Sequence, residues 1–440
     1  MKMFNEKIWN IYMIVISYFI NNCVSGVIYD VYINYLQEID IDVAKSFWGY
    51  YGYSMFISAF LITFINKIGY KKILFISAGG CTFGLLGTFL FKNQIMIRMF
   101  ILMILSGIQL HYLALLPFIN KYTKEKDQVK WFSRVYYIGY VGFFLTTYLG
   151  GYATIKFFSN KISLSYLEAK NLTNSLTTMT GFTKDMYILS MEQLIFILGM
   201  VSILGIIPIF LIKEKKTDYI MEKVENRGIL KEIIHKRKEI FNKYSILYCI
   251  YWGLNNFSMG LFVPYYTIYL NRYLGIDKVT TSLIISLSYI SLVVFMLFTD
   301  KISKIIGRVK TLYLSIILAV PFMILVAEGN RFGKNSVWII GIALFIRTGI
   351  MNLGSPIDSF LAVEVVDKKM VPLYTGVISF ITGIVGVLSG EFTGKILFNL
   401  SNGYKLGYYL GALLYFIGAI IIMVYFSKFD KSNVEIEGKK

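Results

Sequence analysis

Tyr18–Leu36, YFINNCVSGVIYDVYINYL, returns later in the chain as Trp252–Leu270, WGLNNFSMGLFVPYYTIYL. Both copies read Asn-Asn, three residues, Gly, five residues, Tyr, two residues, Tyr-Leu. They superpose at Asn21/Asn255, Asn22/Asn256, Gly26/Gly260, Tyr32/Tyr266, Tyr35/Tyr269 and Leu36/Leu270 with one offset. The same offset, drifting slightly, aligns Asn66-Lys67 with Asp300-Lys301, Gly69 with Gly307, and Pro117 and Glu125 with Pro356 and Glu364. Chance matches in an apolar sequence do not stay in register, so the chain reads as two copies of one unit.

The medium of that unit follows from composition. Of 440 residues, 56% are hydrophobic and 17% aromatic, and mean hydropathy is +0.61, too apolar for water-soluble domains. Apolar runs recur at about the length that ~30 Å of hydrocarbon requires of a helix rising ~1.5 Å per residue. The expected spans are the run through Asn22 at the N-terminus, then 47–65, 73–91, 95–119, 132–155 and 188–212. A second set follows at 245–270, 279–299, 311–327, 337–361, 372–393 and 405–426. The fold expected is an all-α polytopic membrane protein of about twelve transmembrane helices in two pseudo-symmetric six-helix bundles. The N-terminal run lacks a small-residue cleavage site and reads as an uncleaved first helix.

The domain bounds that follow are 1–212 for the first bundle, 213–243 for a basic linker, 244–428 for the second bundle and 429–440 for a tail. The net charge of +18 lies in the loops between apolar runs, alternating by side, which argues against nucleic acid and for the positive-inside bias. Lys67, Lys71 and Lys72; Lys121, Lys124, Lys126 and Lys130; Lys301, Lys304, Arg308 and Lys310; and Lys368 and Lys369 mark one side as cytoplasmic, with both termini on it. The linker, with Lys236-Arg237-Lys238, reads as a solvated charge run or a helix on anionic lipid. The segment 156–185 reads as an external connector whose LSYLEAKNL part suits a short amphipathic helix. Cys23, Cys81 and Cys249 lie inside apolar runs, and no disulfide, metal site or cofactor is implied.

Asn66-Lys67-Ile68-Gly69-Tyr70-Lys71-Lys72, echoed by Asp300-Lys301 and Gly307-Arg308-Val309-Lys310, resembles the loop signature of the major facilitator superfamily, Asp-Arg/Lys-x-Gly followed by basic residues. With the duplication and the helix count, the resemblance covers nearly the whole chain. It implies the major facilitator fold, secondary active transport by alternating access, and a cavity between the halves lined by the first, fourth, seventh and tenth helices. It also implies that Asn66, Lys67, Gly69, Lys71 and Lys72, and Asp300, Lys301, Gly307, Arg308 and Lys310, form conformational-latch loops. Asn66 cannot ionise, so the stronger latch is expected at Asp300.

Polar residues at membrane depth on those four helices are the cavity candidates: Asn21, Asn22, Gln109, His111, Asn255, Asn256, Arg347 and Asn352. Arg347 lies roughly 15 Å into its span, where insertion costs about 2.5–3.5 kcal/mol. It therefore faces water, a partner group or an anionic solute. Candidates for coupling are Arg347, His111, whose ordinary pKa is near neutrality, and Asp30 and Glu391. Asp30, Glu192 and Glu391 read as proton-entry groups or, the preferred reading, as interfacial charges, and Asp358 as a mark of the inner mouth. Tyr32, Tyr266 and Trp252 are candidate aromatic wall, the glycines Gly26 and Gly260 suit close packing, and Pro264 and Pro356 suit bending helices.

No phosphate-binding glycine loop is present, so ATP does not drive this chain, and an enzyme is not expected. The expected function is secondary active transport of a small amphipathic organic solute, with proton-coupled efflux first. Alternatives are a proton-coupled uptake symporter, a lipid translocator, or a non-transporting membrane sensor or assembly partner. The expected partners are the solute, membrane lipids and protons, with the chain acting as a monomer. An AT-rich bias toward Lys, Ile, Asn, Phe and Tyr suits a bacterial cytoplasmic (inner) membrane.

Overall fold

The computed structural model describes the chain except residues 1, 63, 124, 175–178, 220–236, 368–369 and 432–440. Lys124, Lys236, Lys368 and Lys369, most of the linker and nearly all of the tail therefore lie outside the described residues.

A backbone in hydrocarbon has no water to bond, so it must satisfy itself as helix or closed barrel. Among the described residues there are twelve long helices and no strand. In chain order they are α1 (Glu6–Ile39), α2 (Phe47–Ile62), α3 (Tyr70–Leu90), α4 (Gln94–Tyr122), α5 (Glu125–Ile162) and α6 (Gly181–Leu211). The second six are α7 (Lys243–Tyr273), α8 (Lys278–Met296), α9 (Arg308–Ala327), α10 (Ser336–Leu353, continued as Ser355–Glu364), α11 (Val371–Lys395) and α12 (Gly403–Phe426). Ten of these regions are long and apolar enough to cross a membrane. The other two expected spans are α2, of 16 residues, and α5, whose 38 residues begin with a charged turn and are diluted by tyrosine and glycine. Large apolar side chains such as Phe60, Phe83, Leu90, Leu297 and Trp338 are exposed, as surfaces meeting acyl chains should be.

Packing divides the chain into two compact units, residues 1–224 with 266–286, and residues 225–265 with 287–440. Inside each unit the duplication is visible as partner choice. In the first, α1 packs on α5, α3 on α4, and α3 on α6; in the second, α7 packs on α11, α9 on α10, and α9 on α12. Each pair recurs six helices on. The repeat glycine Gly26 explains the closeness of α1 and α5: a Cβ there would stand 2.5 Å from the Phe143 carbonyl oxygen. The Thr146 and Thr147 hydroxyls exploit that approach, donating to the carbonyls of Cys23 at 2.8 Å and Gly26 at 3.1 Å.

Both quoted stretches interrupt their helix just beyond that glycine position. In α1 a π turn occupies Ile28–Tyr32. In α7 the α-helix ends at Phe262, a 3-10 turn covers Val263–Tyr265, and a π turn covers Tyr269–Tyr273. Pro264 supplies no N–H and crowds the preceding turn, which accounts for the break in α7. The connector 156–185 holds the expected short helix, Tyr166–Leu172, with a capping box between Ser165 and Glu168.

Candidate functional site

The first unit buries its four candidate residues. Asn22 donates to the Tyr18 carbonyl at 2.8 Å, and its Oδ1 accepts the Tyr112 hydroxyl at 3.0 Å. Asn21 and His111 line one small cavity, and Gln109 is 7% exposed. His111 Nδ1 lies 3.4 Å from the Ser77 hydroxyl. Tyr112, which ties α4 to α1 through Asn22, was not among the sequence candidates.

In the second unit, Arg347 is 5% exposed. Its Nη2 donates to the Tyr415 hydroxyl at 3.0 Å, and its guanidinium lies 4.8 Å from the Phe262 ring centre. A cation held against aromatic faces and a phenol oxygen keeps part of the stabilisation that water would have given it. Asn255 donates to the Tyr251 hydroxyl at 3.1 Å, and Tyr251 in turn donates to Asp358 Oδ2 at 3.2 Å. Tyr248 donates to Asp358 Oδ1 at 2.9 Å. Among the described residues no basic side chain pairs with Asp358. Asn256 and Asn352 turn back on their own helices, donating to the carbonyls of Trp252 and Thr348 at 2.9 and 2.8 Å.

Asp30 sits in the π turn of α1 and is fully enclosed, as is Lys278, whose ammonium pairs with it. Thr267 donates to Asp30 Oδ1 at 2.7 Å, and Ser282 to Oδ2 at 2.6 Å. All four belong to the first unit, because residues 266–286 pack there. Around them Arg272 pairs with Glu38, Lys170 lies 3.5 Å from Asp277, and Asn271 donates to the Thr173 carbonyl at 2.9 Å. Glu192 is held by Lys92 at 2.6 Å and by the Tyr35 hydroxyl at 3.2 Å. Glu391 pairs with Lys395 one turn along its own helix.

The two loops expected to act as latches share one geometry. Gly69 (φ 93°, ψ 163°) and Gly307 (φ 99°, ψ 153°) precede α3 and α9 in a conformation that favours glycine. The exposed N–H groups of the helix that follows meet a carboxylate in each unit. Tyr70 and Lys71 donate to Glu214 at 2.6 and 3.2 Å, while Val309 and Lys310 donate to Asp430 at 2.8 and 3.2 Å. A carboxylate at a helix N-terminus satisfies orphan donors and opposes the helix dipole. Burial pushes the Glu214 carboxyl above its usual range, against the lowering by the two backbone donors. Lys71 Nζ donates to the carbonyls of Phe210 and Ile212 at 2.6 and 3.1 Å. Asp300 is exposed and pairs with Lys304 of its own short helix at 2.7 Å. The Asn66 side chain lies outside the described residues. Glu214 and Asp430, far along the sequence from the loops, carried no signal that placed them there.

Residues 248–439 match the family model described as Major Facilitator Superfamily. The matched stretch is the second half of the chain, which is similar to that family. Solved structures agree on the fold over nearly the full length. The nucleoside transporter NupG, in a mutant form, is 14% identical with a TM-score of 0.67, covering 94% of this chain and 99% of its own. The inward-open xylose transporter XylE from E. coli is 13% identical with a TM-score of 0.66, covering 94% and 96%. The E. coli fucose:proton symporter FucP, also as a mutant, is 12% identical with a TM-score of 0.61, covering 94% and 97%. No curated protein matches the sequence. Ten candidate spans among the described residues make the chain a multi-pass membrane protein. The all-α, twice-six-helix fold that the repeat implied is the fold of these solved transporters.

Proposed function

We propose that this protein is a proton-coupled secondary transporter of a small organic solute, working by alternating access. The observation that carries the reading is the contrast between two ionisable groups at membrane depth: Arg347 presented on aromatic faces, and Asp358 held by two phenol hydroxyls with no cation beside it among the described residues. A guanidinium so placed suits a solute with an oxygen-rich or anionic end. A carboxylate bonded to neutral donors in a low-dielectric setting can exchange a proton without orphaning a partner charge.

Proton symport of a polar solute into the cell is the direction we favour, supported by solved neighbours entitled D-xylose–proton symporter, fucose:proton symporter and nucleoside transporter. Proton-coupled efflux of an amphipathic solute is the second reading, favoured by the aromatic surroundings of Arg347 (Phe262 and Tyr415). In either direction the repeats 1–212 and 244–428 exchange access. The chain acts as a monomer among the lipids of a bacterial cytoplasmic membrane, with both termini inside.

The test uses vesicles of both orientations containing the purified protein, a pH-sensitive dye and a panel of sugars, nucleosides, organic acids and drugs. Symport predicts that one solute class draws protons along with it, and efflux predicts solute-induced collapse of a proton gradient in inverted vesicles. Arg347→Ala should abolish either signal while the protein still reaches the membrane. Labelled solute accumulating without proton movement would overturn the coupling.

A further inference from the structure

We infer that one water molecule is bound inside the first unit, bridging Asn21 of α1 to His111 of α4, and that it is the ligand of this pair. Asn21 and His111 line a cavity of about 20 Å³ with Ser17, Cys81 and Ser202. A water needs roughly 10–15 Å³ of such space and two to four polar partners, whereas an organic solute needs hundreds of cubic ångströms.

The wall supplies those partners. Asn21 Nδ2 and His111 Nε2 are each fully buried, and neither has a protein hydrogen-bond partner among the described residues. Their residues are 8% and 1% exposed. Two such groups left dry would each carry the full desolvation penalty of an unmade hydrogen bond.

The roles of the two atoms follow from Ser77. Its single hydroxyl proton is donated to the Gly107 carbonyl at 2.7 Å. Its oxygen, 3.4 Å from His111 Nδ1, is therefore an acceptor there, and Nδ1 carries the imidazole proton. A neutral ring then offers a lone pair at Nε2. Asn21 Nδ2 offers a proton. One water accepts from Asn21 and donates to Nε2, and its second proton can reach Ser17, whose own hydroxyl proton goes to the Gly205 carbonyl at 3.3 Å. Every side chain lining the cavity is uncharged, so nothing there favours an ion over water. His111 is thereby a hydrogen-bond acceptor that ties α4 to α1 through water. This holds whatever the chain transports.

The chain has two histidines, so His235→Gln leaves one imidazole, and nitrogen NMR of that variant labelled at histidine reads His111 alone. The expected spectrum at neutral pH has a protonated Nδ1, an unprotonated Nε2, and a cross-peak from Nε2 to water protons. Adding Asn21→Leu, which fills the cavity with a side chain that cannot donate, should remove the water cross-peak. A protonated Nε2, or no water contact in the folded His235→Gln protein, overturns the inference without recourse to the second variant. So does a water contact that survives Asn21→Leu.

Discussion

Asp30 and Asp358 are both aspartates inside this membrane protein, one in each unit, and their surroundings differ in kind. Asp30 has an ammonium and two hydroxyls, with no exposure on either member of the ion pair. Asp358 has two phenol hydroxyls and a half-open position. In a low dielectric an opposite charge stabilises the ionised form far more than neutral donors do. Asp30 therefore helps to hold residues 266–286 on the first unit through its ammonium partner, while Asp358 meets only neutral donors among the described residues. The same side chain serves as a rivet in one place and, in the proposed mechanism, as a proton seat in the other.

Four substitution experiments would break or sharpen that contrast. Lys278→Met should destabilise the purified protein by about 3–5 kcal/mol, because it leaves a buried carboxylate without its counter-charge. Adding Asp30→Asn should return most of the loss, and thermal unfolding in detergent measures both. If Lys278→Met were silent, the pair would not be the rivet described. Tyr251→Phe should cost about 1–3 kcal/mol in the same assay, since it strips a donor from Asp358 and leaves the Asn255 amide buried without its acceptor. By comparison Asp358→Asn should change stability by less than about 1 kcal/mol, yet uncouple solute movement from protons in the vesicle assay. A large unfolding penalty with coupling intact would invert the two roles. As a control in which the units should agree, Glu214→Gln and Asp430→Asn should each cost about 1 kcal/mol through the helix N-termini they cap; unequal values would show that the caps are not equivalent.

The smallest effect expected is a pH response at Tyr166–Leu172. The Ser165 hydroxyl and backbone N–H hold the Glu168 carboxyl below its ordinary range. A lowered carboxylate pKa adds stability above the unfolded value, and that stability is lost as pH falls through the folded value. Hydrogen exchange of this helix should accelerate, relative to α5, on acidification from neutral pH into the carboxylate range. Glu168→Gln should flatten the response.

The fold was legible because the medium imposes it: only helices satisfy a backbone in hydrocarbon, and the repeated Asn-Asn and Gly positions kept the two copies in register. Helix ends were less so. α5 starts at Glu125, ahead of the expected 132, because hydropathy registers the apolar part of a helix and not its charged first turns. The candidate site was legible as single residues, not as partnerships. Asn21, His111 and Arg347 announce themselves by polarity at depth, but nothing local joins Arg347 to Tyr415, or Asp358 to Tyr248 and Tyr251. Lys278 was missed for a physical reason: a lysine one residue outside the expected 279–299 span looks like any helix flank. Its partner is 248 residues earlier.

That separation has a consequence for biogenesis. At about 5–20 residues per second, the ribosome needs roughly ten to fifty seconds to deliver Lys278 after Asp30 has been made. Throughout that interval the first helix holds an acidic residue whose permanent neutraliser does not yet exist. The nascent first bundle must keep that residue wet, protonated or shielded by an insertion factor until α8 arrives, so the membrane assembly of the first half is completed by a piece of the second.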